Sequence, residues 1–248
     1  MDSTLVSLDR VSLFYHTKQA ETQALEELSF SVSEGEFIAI VGPSGCGKTT
    51  VLSLIMGLLT PTKGSVTTRD GRQKMGYMLQ HDHLLDWRTV EKNVLLSLEV
   101  QHGINEQTKQ KALALLDRYG LGGFRHSKPA ELSGGMRQKV ALIRTLATDP
   151  QLLLLDEPFS ALDYQTRLRI ADEVYSIIKQ ERKTAILVTH DISEAISMAD
   201  RVLVFSQRPS KVKSEFVIEI DKAQSPLERR NDPRFFTYFH RIWEDLDA

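Results

Sequence analysis

Residues 37–49, FIAIVGPSGCGKT, constrain this chain more than any other stretch. The continuous apolar run Phe37 to Val41 reads as a strand buried on both faces. It leads directly into Gly42-Pro43-Ser44-Gly45-Cys46-Gly47-Lys48-Thr49, which fits G-x-x-x-x-G-K-[ST], and then through Thr50 into a helix-like stretch, TVLSLIMGLL. Thr60-Pro61 and a Lys63-Gly64 turn should close that helix. Strand, glycine loop and helix in this order form a site for phosphate. The glycines let backbone N–H groups curl around phosphate oxygens, and the helix N-terminus adds partial positive charge. Lys48 reaches the β and γ phosphates, and the Thr49 hydroxyl suits Mg²⁺. Cys46 reads as a variable loop position rather than a reactive thiol.

Strands and helices alternate again further on: helix 135 to 147, strand LLLLD, helix 163 to 182, strand TAILVTH, helix 193 to 198 and strand RVLVF. Such alternation predicts an α/β fold with a mostly parallel sheet covered on both faces. Short β-type runs before residue 41 (LVSLDRVSLFY, LSFSV) add a strand-rich start. Val90 to Tyr119 is helical and amphipathic, interrupted at Gly103. The chain has 248 residues, with 31 Lys+Arg against 33 Asp+Glu. That near-balance argues against a nucleic-acid binder driven by global charge. One cysteine excludes an intrachain disulfide, MDSTLVSLDR lacks the layout of a secretion signal, and no apolar run approaches the roughly 20 residues that span a bilayer. We therefore expect a cytosolic chain; if a membrane matters, another chain crosses it.

Leu152-Leu153-Leu154-Leu155-Asp156-Glu157 is a strand ending in two acids, and the C-terminal edge of an open α/β sheet is where ligands bind. Asp156 is placed to hold Mg²⁺ through water, and Glu157 is the candidate base for an attacking water. Leu132-Ser133-Gly134-Gly135-Met136-Arg137-Gln138 opens another helix, so the Ser133 hydroxyl and Gly135 N–H make a second anion site.

LSGGMRQ standing between a phosphate loop and LLLLDEP resembles the nucleotide-binding subunits of ABC transporters, and the motifs cover nearly the whole chain. The resemblance implies a phosphate-loop ATPase cassette with a RecA-like, mostly parallel core, an N-terminal antiparallel β part and an inserted helical lobe. Residues 1–248 then form a single ATPase domain: core 1–86 and 150–206, lobe about 87–149, and a short extension 207–248. It further implies that Gln80 is the loop glutamine near Mg²⁺ and His190 the switch histidine at the γ-phosphate. Asp163, in Ser160-Ala161-Leu162-Asp163, would contact the opposite subunit. Tyr15 looks like the aromatic that stacks on adenine, with Phe14 as rival. In this family Ser133, Gly134, Gly135 and Gln138 act on the nucleotide of a partner, so two copies, or a pseudo-dimer, share two ATPs. A separate integral-membrane permease and, indirectly, a solute-binding protein complete the assembly at the cytoplasmic face of the inner membrane, with no nucleic acid involved.

Leu84-Leu85-Asp86-Trp87-Arg88-Thr89-Val90 resembles the LLPWRTV stretch of nitrate/sulfonate/taurine-type importer ATPases, with Asp86 in place of proline. Uptake of such a small solute is the expected function; a pyrimidine vitamin precursor, or a soluble ABC-type ATPase of DNA repair or translation, is the alternative. Leu84, Leu85 and Trp87 either line a permease groove or belong to the lobe core. Phe235, Phe236, Phe239, Ile242, Trp243 and Leu246 recur at helical spacing, which suggests an amphipathic tail helix that either packs on its own domain or meets a membrane surface or a partner. Arg229-Arg230 reads as a solvated loop. His81 and His83 are not expected to hold a metal.

Overall fold

The computed structural model describes residues 3–16, 21–101 and 103–247; Met1 and Asp2 of the amino-terminal segment and Ala248 of the extension lie outside them. Three strands, β1 (Thr4–His16), β2 (Glu21–Ser33) and β4 (Lys63–Thr68), make an antiparallel sheet in the order β2-β1-β4. The second sheet has six strands, in the order β5-β6-β7-β3-β8-β9. They are β3 (Phe37–Val41), β5 (Met75–Met78), β6 (Leu152–Asp156), β7 (Thr184–Val188), β8 (Arg201–Phe205) and β9 (Val212–Val217). All neighbours in it are parallel except β8 and β9. Parallel pairing puts the C-terminal ends of β5, β6, β7 and β3 on one edge. The phosphate loop, Gln80, Asp156-Glu157 and His190 all leave the sheet there.

Period-two alternation of the central strands divides the core. Ala39, Leu153, Leu155 and Leu187 face helices α4 (Gly134–Leu146), α5 (Tyr164–Gln180) and α6 (Ile192–Met198). Ile38, Ile40, Leu152, Leu154 and Ile186 face α1 (Lys48–Met56) and the antiparallel sheet. A third apolar cluster joins α2 (Val90–Gln101), α3 (Glu106–Arg118) and the Val140–Ile143 side of α4. Because Ala141, Leu142 and Leu146 of the same helix belong to the main core, α4 welds the helical segment to the sheet.

Several local expectations are corrected. Helix α1 ends at Met56, not at the Thr60-Pro61 boundary, because Gly57 adopts φ 76° and its N–H returns to the Leu54 carbonyl. Lys63-Gly64 is not a turn but the first two residues of β4. There Gly64 lies so close to the Asp9 and Arg10 carbonyls that a Cβ would collide with them. Arg229 is not solvated: it is 0% exposed, at the end of the short helix α7 (Pro226–Arg229), and donates to the Ser197 and Ala199 carbonyls at 2.9 Å each. These are the carbonyls that the end of α6 leaves without intrahelical partners, and a cation there opposes the negative helix terminus. The tail helix α8 (Pro233–Asp247) does pack on its own domain, burying Phe235 and Ile242 with Phe239 and Leu246 partly covered; Phe236 and Trp243 face outward.

Candidate active site

The phosphate loop rises from β3 and turns into α1 through Gly45 (φ 74°) and Gly47 (φ 113°). A left-handed conformation at both positions aims successive amides into one concavity, and glycine adopts it without steric cost. Lys48 is buried and its ammonium donates to the Gly42 and Pro43 carbonyls at 2.8 and 3.1 Å, which arches the loop around it. Cys46 is buried against β8 and the core; burial pushes its thiol up, so it packs as a neutral side chain. The Tyr15 hydroxyl lies 3.2 Å from Thr50 Oγ1, so Tyr15 stands over the start of α1, while Phe14 is half-buried.

Asp156 ends β6 beneath this loop. Its Oδ1 accepts from the Thr49 hydroxyl and its Oδ2 from the Tyr77 hydroxyl, both at 3.1 Å. Burial raises the Asp156 carboxyl, and the Thr49 and Tyr77 donors oppose that rise by stabilising the anion. A hydroxyl and a carboxylate side by side at a phosphate loop are hard oxygen donors of the kind Mg²⁺ takes, so the residues present fit that ion. Among the described residues no group of three or more His, Cys, Asp or Glu is placed to hold a metal ion, and the His81 and His83 rings meet edge-on with centroids 5.9 Å apart.

Glu157 turns away from the strand at φ 44°, an uncommon conformation for a non-glycine residue. Its Oε2 collects the other two candidates: Gln80 Nε2 donates to it at 3.4 Å, and His190 Nδ1 lies 3.1 Å away. Two residues that follow β5 and β7 thus converge on one oxygen of a third that follows β6. His190 is in turn seated by its successors. Asp191 caps α6 by accepting from the Ser193 and Glu194 amides, and Glu194 accepts from the Thr189 hydroxyl at 2.7 Å. Burial pushes the Glu194 carboxyl up to about 7.

The LSGGMRQ signature residues, Leu132 to Gln138, stand outside this cluster, at the start of α4. Ser133 caps the helix, its Oγ accepting from the Met136 amide at 3.3 Å, and with Gly134 it faces solvent. Gly135 is buried against Ile170 of α5, where a Cβ would come within 2.7 Å. Gln138 is buried too, with its Oε1 lacking a partner among the described residues. Asp163 caps α5 through the Thr166 amide, which with the Thr166 hydroxyl holds its carboxyl below the usual range.

Sequence reasoning missed Tyr77 because β5 has only four residues and no alternation to betray it. It also missed Asp82. Arg137 of α4 forks onto Asp82 at 2.8 and 3.1 Å, and Arg144 donates to the Asp82 and His83 carbonyls, so the segment after Gln80 is clamped to the signature helix. Asp86 lies 3.9 Å from the same Arg137. Of the apolar residues beside it, Leu84 is core at 6% exposed and Trp87 is 75% exposed.

Residues 25–160 match the ABC_tran family model, described as ABC transporter, across the phosphate loop, the signature and Asp156-Glu157. The chain belongs to the ABC transporter family. It is therefore an ATPase coupled to transport. It is 45% identical over 99% of its length, and 96% of the relative's, to the uncharacterized ABC transporter ATP-binding protein YtlC of Bacillus subtilis (strain 168). It is 38% identical to the aliphatic sulfonates import ATP-binding protein SsuB of Bacillus cereus, covering 84% of this chain and 83% of that one. The ATP-binding cassette MJ0796, solved as a dimer in a post-hydrolysis state bound to ADP and Pi, superposes on this ABC ATPase with a TM-score of 0.72. The identity is 31%, over 88% of this chain and 100% of that one.

Proposed function

We propose that this ABC ATPase powers uptake of a small anionic solute, an aliphatic sulfonate or a close relative such as taurine or nitrate. It works as a pair of copies beneath a separate permease, at the cytoplasmic face of the membrane. The observation that carries the ATPase half of this reading is the convergence of Gln80 and His190 on the Glu157 carboxylate, beside Thr49 and Asp156. The Gly42–Gly47 amides wrap the phosphates, Lys48 neutralises the β and γ oxygens, and Tyr15 stacks on the adenine. Glu157 orients the attacking water and takes its proton, and His190 holds the γ-phosphate end of that arrangement. Thr49 and Gln80, with Asp156 behind them, would hold Mg²⁺, which when bound supplies charge neutralisation across the β and γ oxygens. Ser133, Gly134 and Gly135, at the exposed N-terminus of α4 on the 87–149 lobe, serve the nucleotide of the second copy, and Gln138 supports them from beneath. Asp163 meets that copy.

Similarity to the sulfonate importer subunit SsuB and the stretch Leu84 to Val90 support the importer half. No helix among the described residues is long and apolar enough to cross a membrane, which fits a role for a separate spanning partner. An affinity-tagged chain isolated from detergent-solubilised cells should bring an integral-membrane protein with it. In proteoliposomes the pair should hydrolyse ATP several-fold faster when a binding protein loaded with an aliphatic sulfonate is supplied. Recovery with DNA or ribosomes and no membrane protein would contradict the proposal.

A further inference from the structure

The Tyr77 hydroxyl bonds an oxygen of the carboxylate assigned to the metal. Strands β5 and β6 run parallel with Tyr77 opposite Leu154, and side chains two apart on a strand share a face. Tyr77 therefore points to the same side as Leu154 and Asp156, the side covered by α1, and its long side chain reaches forward to Asp156 Oδ2 at 3.1 Å. Thr49 takes Oδ1 at the same distance. The ring is half-buried in the core beneath α1, and Ser53, one turn after Thr49, donates its Oγ hydrogen to the Thr49 carbonyl at 3.0 Å. Tyr77, Asp156, Thr49 and Ser53 thus form one hydrogen-bonded patch linking β5, β6 and α1.

We infer that Tyr77 is a positioning residue for the metal-binding carboxylate: by donating to Oδ2 it fixes the rotation of Asp156 so that Oδ1 stays aligned with the Thr49 hydroxyl. A carboxylate held by a donor on each oxygen cannot turn about its Cβ–Cγ bond without breaking one bond, yet each oxygen keeps a further lone pair for a metal or its water. With only the Thr49 donor, the carboxylate plane is free to rotate about that single contact. Partners behind a metal-holding group ordinarily change metal affinity by about 10- to 100-fold when removed. Asp156 is assigned to act through water, so the low end of that range applies.

The inference rests on the proposed metal role of Asp156, and the test separates the two. Free Mn²⁺ is followed by electron paramagnetic resonance as it is titrated into the full chain with a non-hydrolysable ATP analogue, for wild type, Tyr77→Phe and Asp156→Asn. Tyr77→Phe keeps the ring and its packing. It should weaken Mn²⁺ binding about tenfold, lower the melting temperature by a few degrees through the one lost hydrogen bond, leave metal-free nucleotide affinity unchanged, and raise the Mg²⁺ concentration for half-maximal turnover while sparing the rate at saturating Mg²⁺. Unaltered Mn²⁺ affinity in Tyr77→Phe, with a clear loss in Asp156→Asn, overturns the inference and leaves the Asp156 assignment standing. No loss in Asp156→Asn removes the assignment itself. Parallel loss of metal-free nucleotide binding and of stability beyond those few degrees in Tyr77→Phe would make the hydroxyl a structural contact only, which also overturns the inference.

Discussion

Glu157→Gln should slow ATP turnover by about two to four orders of magnitude, the range that removal of a positioned general base produces. ATP affinity should stay within about twofold, because the phosphate-loop amides, Lys48 and Tyr15 that would hold the nucleotide do not involve residue 157. The amide is nearly isosteric and still offers an oxygen to Gln80 Nε2 and to His190, now 3.4 and 3.1 Å from Glu157 Oε2, so the loop geometry at φ 44° should persist. What the amide lacks is the ability to accept a proton from water. With hydrolysis blocked and binding intact, ATP remains in both pockets and the two copies stay together. Phosphate release gives the rate, and light scattering after gel filtration in ATP gives the mass. Turnover close to wild type would remove Glu157 from the base role.

Ser133→Arg should abolish ATP-dependent pairing and bring turnover down to background, with little change in the folded protomer. Ser133 faces solvent, and its side chain caps the helix by accepting from the Met136 amide. Losing that cap costs about 1 kcal/mol, so the melting temperature should fall only slightly. A long guanidinium at the helix N-terminus, by contrast, fills the space in which the neighbouring copy's phosphate would meet the Gly134 and Gly135 amides. Combining the substitution with Glu157→Gln separates closure from chemistry, since the double variant should bind ATP and remain monomeric. Normal pairing of that variant would argue that α4 does not meet the second nucleotide.

The fold was largely readable because its central strands carry unbroken apolar runs. Phe37 to Val41, Leu152 to Leu155 and Ala185 to Val188 must be buried on both faces, and only a covered parallel sheet provides that. Other features depend on contacts between residues far apart in the chain. Met75 to Met78 forms a strand because Gln151 and β6 supply partners, not because of its own pattern, so the strand and Tyr77 with it stayed hidden. Gly64 looked like a turn residue, yet its left-handed backbone serves a close approach to β1 within a ladder. Arg229 looked like half of a solvated basic pair because nothing local to it announces the open carbonyls at the end of α6. Even the apolar segment after Gln80 divided in a way that pattern alone does not decide: Leu84 packs against the lobe helices and Trp87 projects outward.

The catalytic candidates were legible one at a time through their motifs, but not their mutual distances. Only the parallel sheet brings Gln80 and His190, which follow β5 and β7, to a single oxygen of Glu157, which follows β6. The fork of Arg137 on Asp82 was invisible for a similar reason, since the two residues are 55 positions apart. That fork ties the Gln80 segment to the helix bearing Ser133.

Most directly, the account predicts how hydrolysis per protomer depends on protein concentration at saturating Mg-ATP. Ser133 and Glu157 of one chain are assigned to different nucleotides, so an isolated protomer has no complete pocket. Specific activity should rise with concentration to a plateau and collapse on dilution below the dissociation constant of the pair, in step with the dimer fraction measured by light scattering. A specific activity that stays constant down to fully monomeric protein would contradict the shared site.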